Sequence, residues 1–483
     1  MHIIFYVLDS LRADHLSCYG YHRKTSPHID SIAGDGVIFQ KCYSTSTWTR
    51  PVAASILSGT YPAINGVQGR NDYFDSRIFR LPESLKCQEF QTACISAIGN
   101  VSTNFGFSRG FDYFCDLYKE PSLIKMREKS SGTAEGLEDE GDSEVIFPLA
   151  GDLNSFFFPW LETKREKNTF SLLWSIQTHE PYLPPREYNK FIDPNYDGKF
   201  AGHRDMIRRV KSKEDTKNLI DLYDGEIYYN DACIGELINY LKENNLYEDS
   251  LLVITGDHGE SLGEHGIYSH GHLPYEQVAR VPLIIKFPKN EYAGKSINQL
   301  VSLMDLFPSI TDYLNIHLSE DIHEFIKGKS IIQLIREDHY LNHQYLFAET
   351  RYSDAKPIFQ AVISNEYKYI KVIPTRVQAS IIKMTLKRLI NEGIWLSILR
   401  NPLYMFKRYG HIETRQLFNL ESDPGENQNL VGDQPEIVER MEKLLLEWED
   451  DCRRQSIPRS PNDSNQEDEE LIRQQLRALG YME

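Results

Sequence analysis

Asp9, His179 and the pair Asp257-His258 each stand directly behind a short apolar run, a placement that delivers carboxylate and imidazole groups to the ends of buried strands. Two carboxylates and an imidazole form a ligand set for one divalent cation. The pair sits in the turn Gly256-Asp257-His258-Gly259, where the glycines allow close backbone approach. Such a pair alone is common without a metal, and Asp9, arriving from a separate strand end, supplies the third ligand a cluster needs. The competing reading of Asp9 is an N-cap for the segment that follows it.

The apolar runs themselves are Ile3 to Leu8, Thr169 to Ile176, Leu251 to Thr255 and Leu283 to Phe287. They are short, rich in β-branched or aromatic residues and bounded by polar or turn residues, as buried strands are. Between them lie helical stretches such as Asn218 to Asn244, with apolar positions three and four apart. Alternating strands and helices predict an α/β fold with a large, mostly parallel central sheet sandwiched by helices. Ligands of such sheets bind beyond the carboxyl ends of the strands, so the three polar clusters are expected to converge on one edge.

Composition excludes several classes. With 483 residues, 41% hydrophobic and 25% charged, the chain folds as an ordinary globular protein. Its net charge of -17 speaks against a nucleic-acid partner, which requires a basic footprint. Met1-His2 runs straight into the first strand without a basic and long apolar leader, and no later run reaches the roughly 18 apolar residues of a membrane span. Seven scattered cysteines without Cys-x-x-Cys pairs fit reduced thiols, and a cytoplasmic location is expected. Ser130 to Glu144 reads as a solvated acidic loop and Ser460 to Glu470 as a polar linker to a final helix, and there is no internal repeat.

Four blocks then carry a family resemblance. Val7-Leu8-Asp9-Ser10-Leu11-Arg12-Ala13-Asp14-His15-Leu16-Ser17-Cys18-Tyr19-Gly20 resembles the opening signature of sulfatases. So do Thr178 to Pro185, the segment from Thr255 through Arg280-Val281-Pro282-Leu283-Ile284-Ile285, and Leu417 to Glu426, which looks like the C-terminal subdomain marker. The blocks occur in family order and span almost the whole chain. The resemblance implies an alkaline-phosphatase-like fold with a smaller α+β C-terminal subdomain, and a metal-dependent hydrolase of sulfate or phosphate esters.

In sulfatases a Cys or Ser in Cys/Ser-x-Pro-x-Arg is oxidised to formylglycine. The matching run here is Thr49-Arg50-Pro51-Val52-Ala53. Oxidation of a threonine yields only a ketone, so no formylglycine is expected, and Ala53 leaves the arginine role to Arg50. A threonine hydroxyl is the nucleophile in related phosphodiesterases and phospholipid-headgroup transferases, so Thr49 is the candidate metal-bound nucleophile, forming a covalent ester intermediate. A plain N-cap is its competing reading.

The resemblance also implies His179 and His270 as catalytic substrate contacts, with His265 and His272 as weaker candidates. Ser10 replaces the second aspartate of many sulfatases and is taken with Arg50 as a substrate-binding residue. Ser175, four before His179, leaves no ligand pair for a second cation, so one metal is expected at Asp9, Asp257 and His258. Family resemblance favours calcium, whereas the imidazole favours manganese or zinc. Expected substrates are a small anionic ester or a sulfated or phosphorylated glycan or lipid. The alternatives are a headgroup transferase and an inactive, anion-binding pseudo-sulfatase.

The expected organisation is a catalytic domain over 1–345, an α+β subdomain over 346–455, and a linker with terminal helix over 456–483. Within the subdomain, 376–408 carries seven Lys or Arg against Glu392 alone, interleaved with apolar residues such as Ile381, Leu389 and Trp395. This composition suits either a basic amphipathic helix on anionic lipid or an insertion with a solvated basic face.

Overall fold

A strand covered on both faces has no use for polar side chains, and β1 (His2–Leu8) is buried at every position. It lies at the centre of an eight-stranded sheet in the computed structural model. The other members are β2 (Val37–Tyr43), β3 (Gln91–Ser96), β4 (Tyr113–Asp116), β5 (Thr169–Ser175), β6 (Ser250–Gly256), β9 (Arg280–Lys286) and β10 (Lys295–Ser302). Their order is β10-β2-β9-β6-β1-β5-β3-β4. All run parallel except β9, which is antiparallel to both β2 and β6. A two-stranded ribbon joins β7 (Ser261–Leu262) to β8 (Tyr268–Ser269).

The four strands expected from sequence are β1, β5, β6 and β9. Register then decides where the polar clusters go. Leu8 lies opposite Ser175 on β5 and opposite Gly256 on β6, so Asp9 and Asp257 leave adjacent strands at the same level. The segment carrying His179 leaves β5 at that edge as well.

Helices flank the sheet. The helix Lys213–Glu243 packs against helices Pro27–Gly34 and Ala150–Glu162, and Asn230 on it accepts the Tyr6 hydroxyl at 3.0 Å. It starts earlier than its apolar periodicity, because the Ser212 side chain accepts from Asp215 N and acidic Glu214 and Asp215 suit a first turn. Helix Thr49–Ser58 is buried at every position and packs near helices Leu81–Lys86 and Leu306–Tyr313.

A separate antiparallel sheet follows, β11 (Leu346–Thr350), β12 (Ile358–Ile363), β13 (Tyr367–Ile373) and β14 (Arg415–Asn419), in that order. The C-terminal helix Pro435–Gln455 covers it with Met441, Leu445 and Trp448. Two fasteners join this sheet to the first. Lys368 on β13 is buried and pairs with Glu276 at 2.7 Å and Glu426 at 2.9 Å. At the end of β11, Thr350 Oγ1 accepts Thr47 N at 3.1 Å and Glu349 N donates to Thr45 O at 3.0 Å.

The described residues are 1–457 apart from 121, 124–146, 199, 208–209, 211, 338–341, 354–355 and 375–413. The acidic loop Ser130 to Glu144, the basic segment 376–408, the linker Ser460 to Glu470 and the terminal helix expected after it lie outside them. All seven cysteines are free thiols. Among the described residues no helix is long and apolar enough to cross a membrane.

Candidate active site

Ser10 turns the chain at the mouth of β1. Its φ of 62° is the left-handed conformation that ordinary residues avoid. The turn lets Ser10 N donate to Asp257 Oδ1 at 3.0 Å while Ser10 Oγ donates to Asp9 Oδ1 at 3.0 Å. The residue taken from sequence as a substrate contact thus holds both carboxylates, Asp257 through its backbone N–H and Asp9 through its hydroxyl. Asp9 is no N-cap, since only the short turn Ala13–His15 follows, with Arg12 as its cap.

On the β6 side, a Cβ at Gly259 would stand 2.0 Å from Gln277 O, so only glycine lets the turn pass that close. His258 Nδ1 lies 2.9 Å from Gly259 O, an acceptor only, so Nδ1 carries the proton and Nε2 presents its lone pair. That Nε2 sits 3.6 Å from Asp9 Oδ1 and 3.5 Å from Asp257 Oδ2. Ligand atoms of the three residues all lie within 4.8 Å of one another, and all three are buried.

The electrostatics of this cluster call for a cation. Burial pushes the Asp9 carboxyl well above its ordinary range, and the charge of Asp257 adds to the effect. Burial also raises Asp257, against the opposing pull of His258 and the Ser10 N–H. Asp257 Oδ2 is buried without a hydrogen-bond donor. Two buried carboxylates, one with an unsatisfied oxygen, beside an imidazole lone pair fit a divalent cation by donor chemistry and by charge.

Thr49 opens its helix, with extended Trp48 as the N-cap residue, so Thr49 is not the cap. Its hydroxyl donates to Asp9 Oδ2 at 3.2 Å and stands 3.4 Å from His258 Nε2. The backbone N–H groups of the first turn and the positive end of the helix face the same region, which favours an anion there. Arg50 has a different environment. Its guanidinium donates to the carbonyls of Arg70 and Asp72 and to Asn100 Oδ1, and it stacks on Phe105 with 3.3 Å to the ring centroid.

His179 and His270 lie edge to face at 4.9 Å, and His270 packs on His258 at 4.4 Å between ring centres. Burial holds both well below the usual imidazole range. His179 Nδ1 donates to Glu180 O at 2.6 Å, which turns Nε2 to the opposite edge of the ring. His265 stacks on Tyr275 at 4.1 Å, and His272 Nε2 donates to Ser269 O at 2.6 Å.

Two residues join the site without having been singled out from sequence. Glu260 is fully buried, receives the Tyr182 hydroxyl at 2.9 Å and lies 3.3 Å from His270 Nδ1. The signal was its place two residues after His258, directly behind the glycine that closes the turn.

The family model described as Sulfatase matches residues 1–316, and that described as N-sulphoglucosamine sulphohydrolase, C-terminal, matches residues 263–384. The chain belongs to the sulfatase family. It is 24% identical over 394 residues to an N-acetylglucosamine-6-O-sulfatase of Bacteroides thetaiotaomicron, covering 66% of this chain and 69% of the relative. It is 22% identical over 495 residues to an arylsulfatase of Clostridium perfringens, covering 92% and 93%. Among solved structures it resembles the phosphonate monoester hydrolase of Agrobacterium radiobacter, with a TM-score of 0.70 at 17% identity, covering 93% of this chain and 96% of that one. A protein solved with its substrate D-glucosamine-2-N,6-O-disulfate gives a TM-score of 0.69 at 18% identity, covering 96% and 99%.

Proposed function

We propose that the chain hydrolyses anionic esters, phosphate esters in preference to sulfate, with Thr49 as the nucleophile. The observation that carries this is the Thr49 hydroxyl, buried at a helix start 3.2 Å from Asp9 Oδ2 and 3.4 Å from His258 Nε2. A divalent cation held by Asp9, Asp257 and His258 would acidify the hydroxyl and offset charge on the central atom. Two carboxylates and one imidazole suit manganese or zinc better than calcium.

The steps follow from the side chains. The Thr49 proton passes to Asp9, the carboxylate it already faces, while Oγ1 forms a bond to phosphorus and the bond to the alcohol oxygen breaks. The departing oxygen takes a proton from His270, whose imidazolium form, disfavoured by burial in the free site, is restored by the negative ester beside it and the Glu260 carboxylate behind it. Water then displaces Thr49 from phosphorus, losing a proton to His270 as Asp9 returns one to Thr49. His179 Nε2 accepts a hydrogen bond from a substrate hydroxyl. A threonine ester has no elimination route of the formylglycine kind, and phosphorus accepts displacement more readily than sulfur. The names of the relatives, an N-acetylglucosamine-6-O-sulfatase and an N-acetylgalactosamine-6-O-sulfatase among them, support a sugar ester over a lipid.

The test is intact-protein mass after rapid quenching during turnover of a phosphodiester. A phosphoryl adduct that maps to Thr49 is expected. Turnover with Thr49 unmodified at every time point would overturn the scheme in favour of direct attack by water.

A further inference from the structure

Beside His179 the chain leaves a half-open cavity of about 200 Å3. Pro148, Leu149, Ile176 and Leu183 supply apolar walls, His179 forms the side shared with the active site, and Glu226 forms the polar end. Leu183 is 46% exposed, one of the two exposed large apolar side chains among the described residues. It stands where a ligand would enter.

Glu226 projects from helix Lys213–Glu243 and is only 1% exposed. Its two oxygens accept from Gln177 Nε2 and from Leu183 N, each at 2.5 Å. Both donors are neutral. Among the described residues no lysine, arginine or histidine pairs with Glu226, whereas Glu180, the other acid lining the cavity, is already matched by Arg204 at 2.8 Å. Burial pushes the Glu226 carboxyl up to about 8, and only those two N–H groups pull it back. Glu226 therefore keeps its proton near neutral pH while no cation is beside it, and a cation entering the apolar space would hold it ionised as its partner.

We propose that this cavity binds a protonated primary amine on the organic part of the ester, with Glu226 as its counter-ion. The proposal rests on the ester-hydrolase reading above and adds the substrate class: esters of amino alcohols or amino sugars. The volume lies below the roughly 300–1,000 Å3 of pockets for drug-sized ligands, and suits one amino-sugar ring or a short aminoalkyl chain. The net charge of -17 would draw such cations to the surface.

Direct binding to the full-length protein separates this inference from the catalytic one, because no turnover is needed. Glucosamine and ethanolamine, measured by calorimetry or saturation-transfer NMR, are expected to bind and glucose and ethylene glycol are not; the stronger of the two amines identifies the source. Glu226→Gln should weaken amine binding by at least about tenfold. Leu183→Trp, at an exposed position that tolerates the change, should block the same amines. Amines that bind no better than their neutral counterparts, or equally well in both variants, would overturn the proposal. Amine binding without ester turnover would instead retain the cavity assignment and remove the catalytic reading.

Discussion

Glu260 lies 3.3 Å from His270 Nδ1 through one carboxylate oxygen while the other takes the Tyr182 hydroxyl at 2.9 Å. A carboxylate behind an imidazole fixes which nitrogen keeps its proton and turns the opposite nitrogen to the substrate. Glu260→Gln is therefore expected to lower kcat by about 10–100-fold, the usual effect of losing such a supporting partner, with metal content unchanged. Steady-state kinetics beside elemental analysis would check it, and loss of metal in step with activity would assign Glu260 to the ligand shell instead.

Asp257 Oδ2 is buried without a hydrogen-bond partner and is the oxygen proposed as a metal ligand. Asp257→Asn should leave metal well below one ion per chain and abolish turnover together, because one of only three protein ligands loses its charge. Full metal occupancy in that variant, read by plasma mass spectrometry, would remove the assignment.

Thr49→Ala should separate the two properties. Asp9, Asp257 and His258 remain to hold the ion, so metal content should stay near that of the parent while hydrolysis of aryl phosphates and phosphodiesters falls by at least about 10³-fold, as when a covalent nucleophile is removed. Activity within a few fold of the parent would exclude the hydroxyl as nucleophile.

Lys368 stands fully buried between Glu276 and Glu426. Lys368→Met would leave buried Glu426 without a cation and Glu276 with only Arg280 at 3.5 Å, at a cost of about 3–5 kcal/mol in unfolding free energy. Adding Glu276→Gln and Glu426→Gln should recover much of that loss. Denaturant unfolding of the single and triple variants would measure it, and equal stability of the two would show that charge is not the cause.

Asp231 accepts the backbone N–H groups of His28 and Ile29, yet burial raises its carboxyl to about 7. The folded state therefore holds this proton more tightly than the unfolded chain, whose aspartates titrate near about 3.9. Its contribution to stability is present in full below that value and is lost as pH rises through 7. Asp231→Asn should gain on the parent by up to a few kcal/mol between pH 4 and pH 7 and stay level above. Paired unfolding curves across that range would test it; a stability difference independent of pH would contradict it.

The site was legible wherever chemistry follows a buried strand. Asp9, His179 and Asp257-His258 were marked by the apolar runs before them, and register placed them together because parallel neighbours end at one level. Strand direction was not legible. Arg280–Lys286 has the same Val, Leu and Ile character as its parallel neighbours, yet runs antiparallel, and residue type carries no sign of that. Glu260 and Tyr182 escaped notice because an acid and a phenol acquire meaning only when tertiary packing buries them against a histidine. Arg50 was assigned by proximity to the motif, but its environment is set by carbonyls 70 and 72, which no local pattern announces.

The hydrogen bond from Thr47 N to Thr350 Oγ1 has consequences for how such chains can vary. It ties the loop that presents Thr49 to the last residue of β11, so the small sheet helps to fix where that loop lies. A chimera that borrows its C-terminal sheet from a relative would need an acceptor at this position, or the loop before Thr49 would lose one of its ties to β11, another being that from Glu349 N to Thr45 O. Diversification is thereby steered toward surface loops, where sequence can drift without disturbing the join.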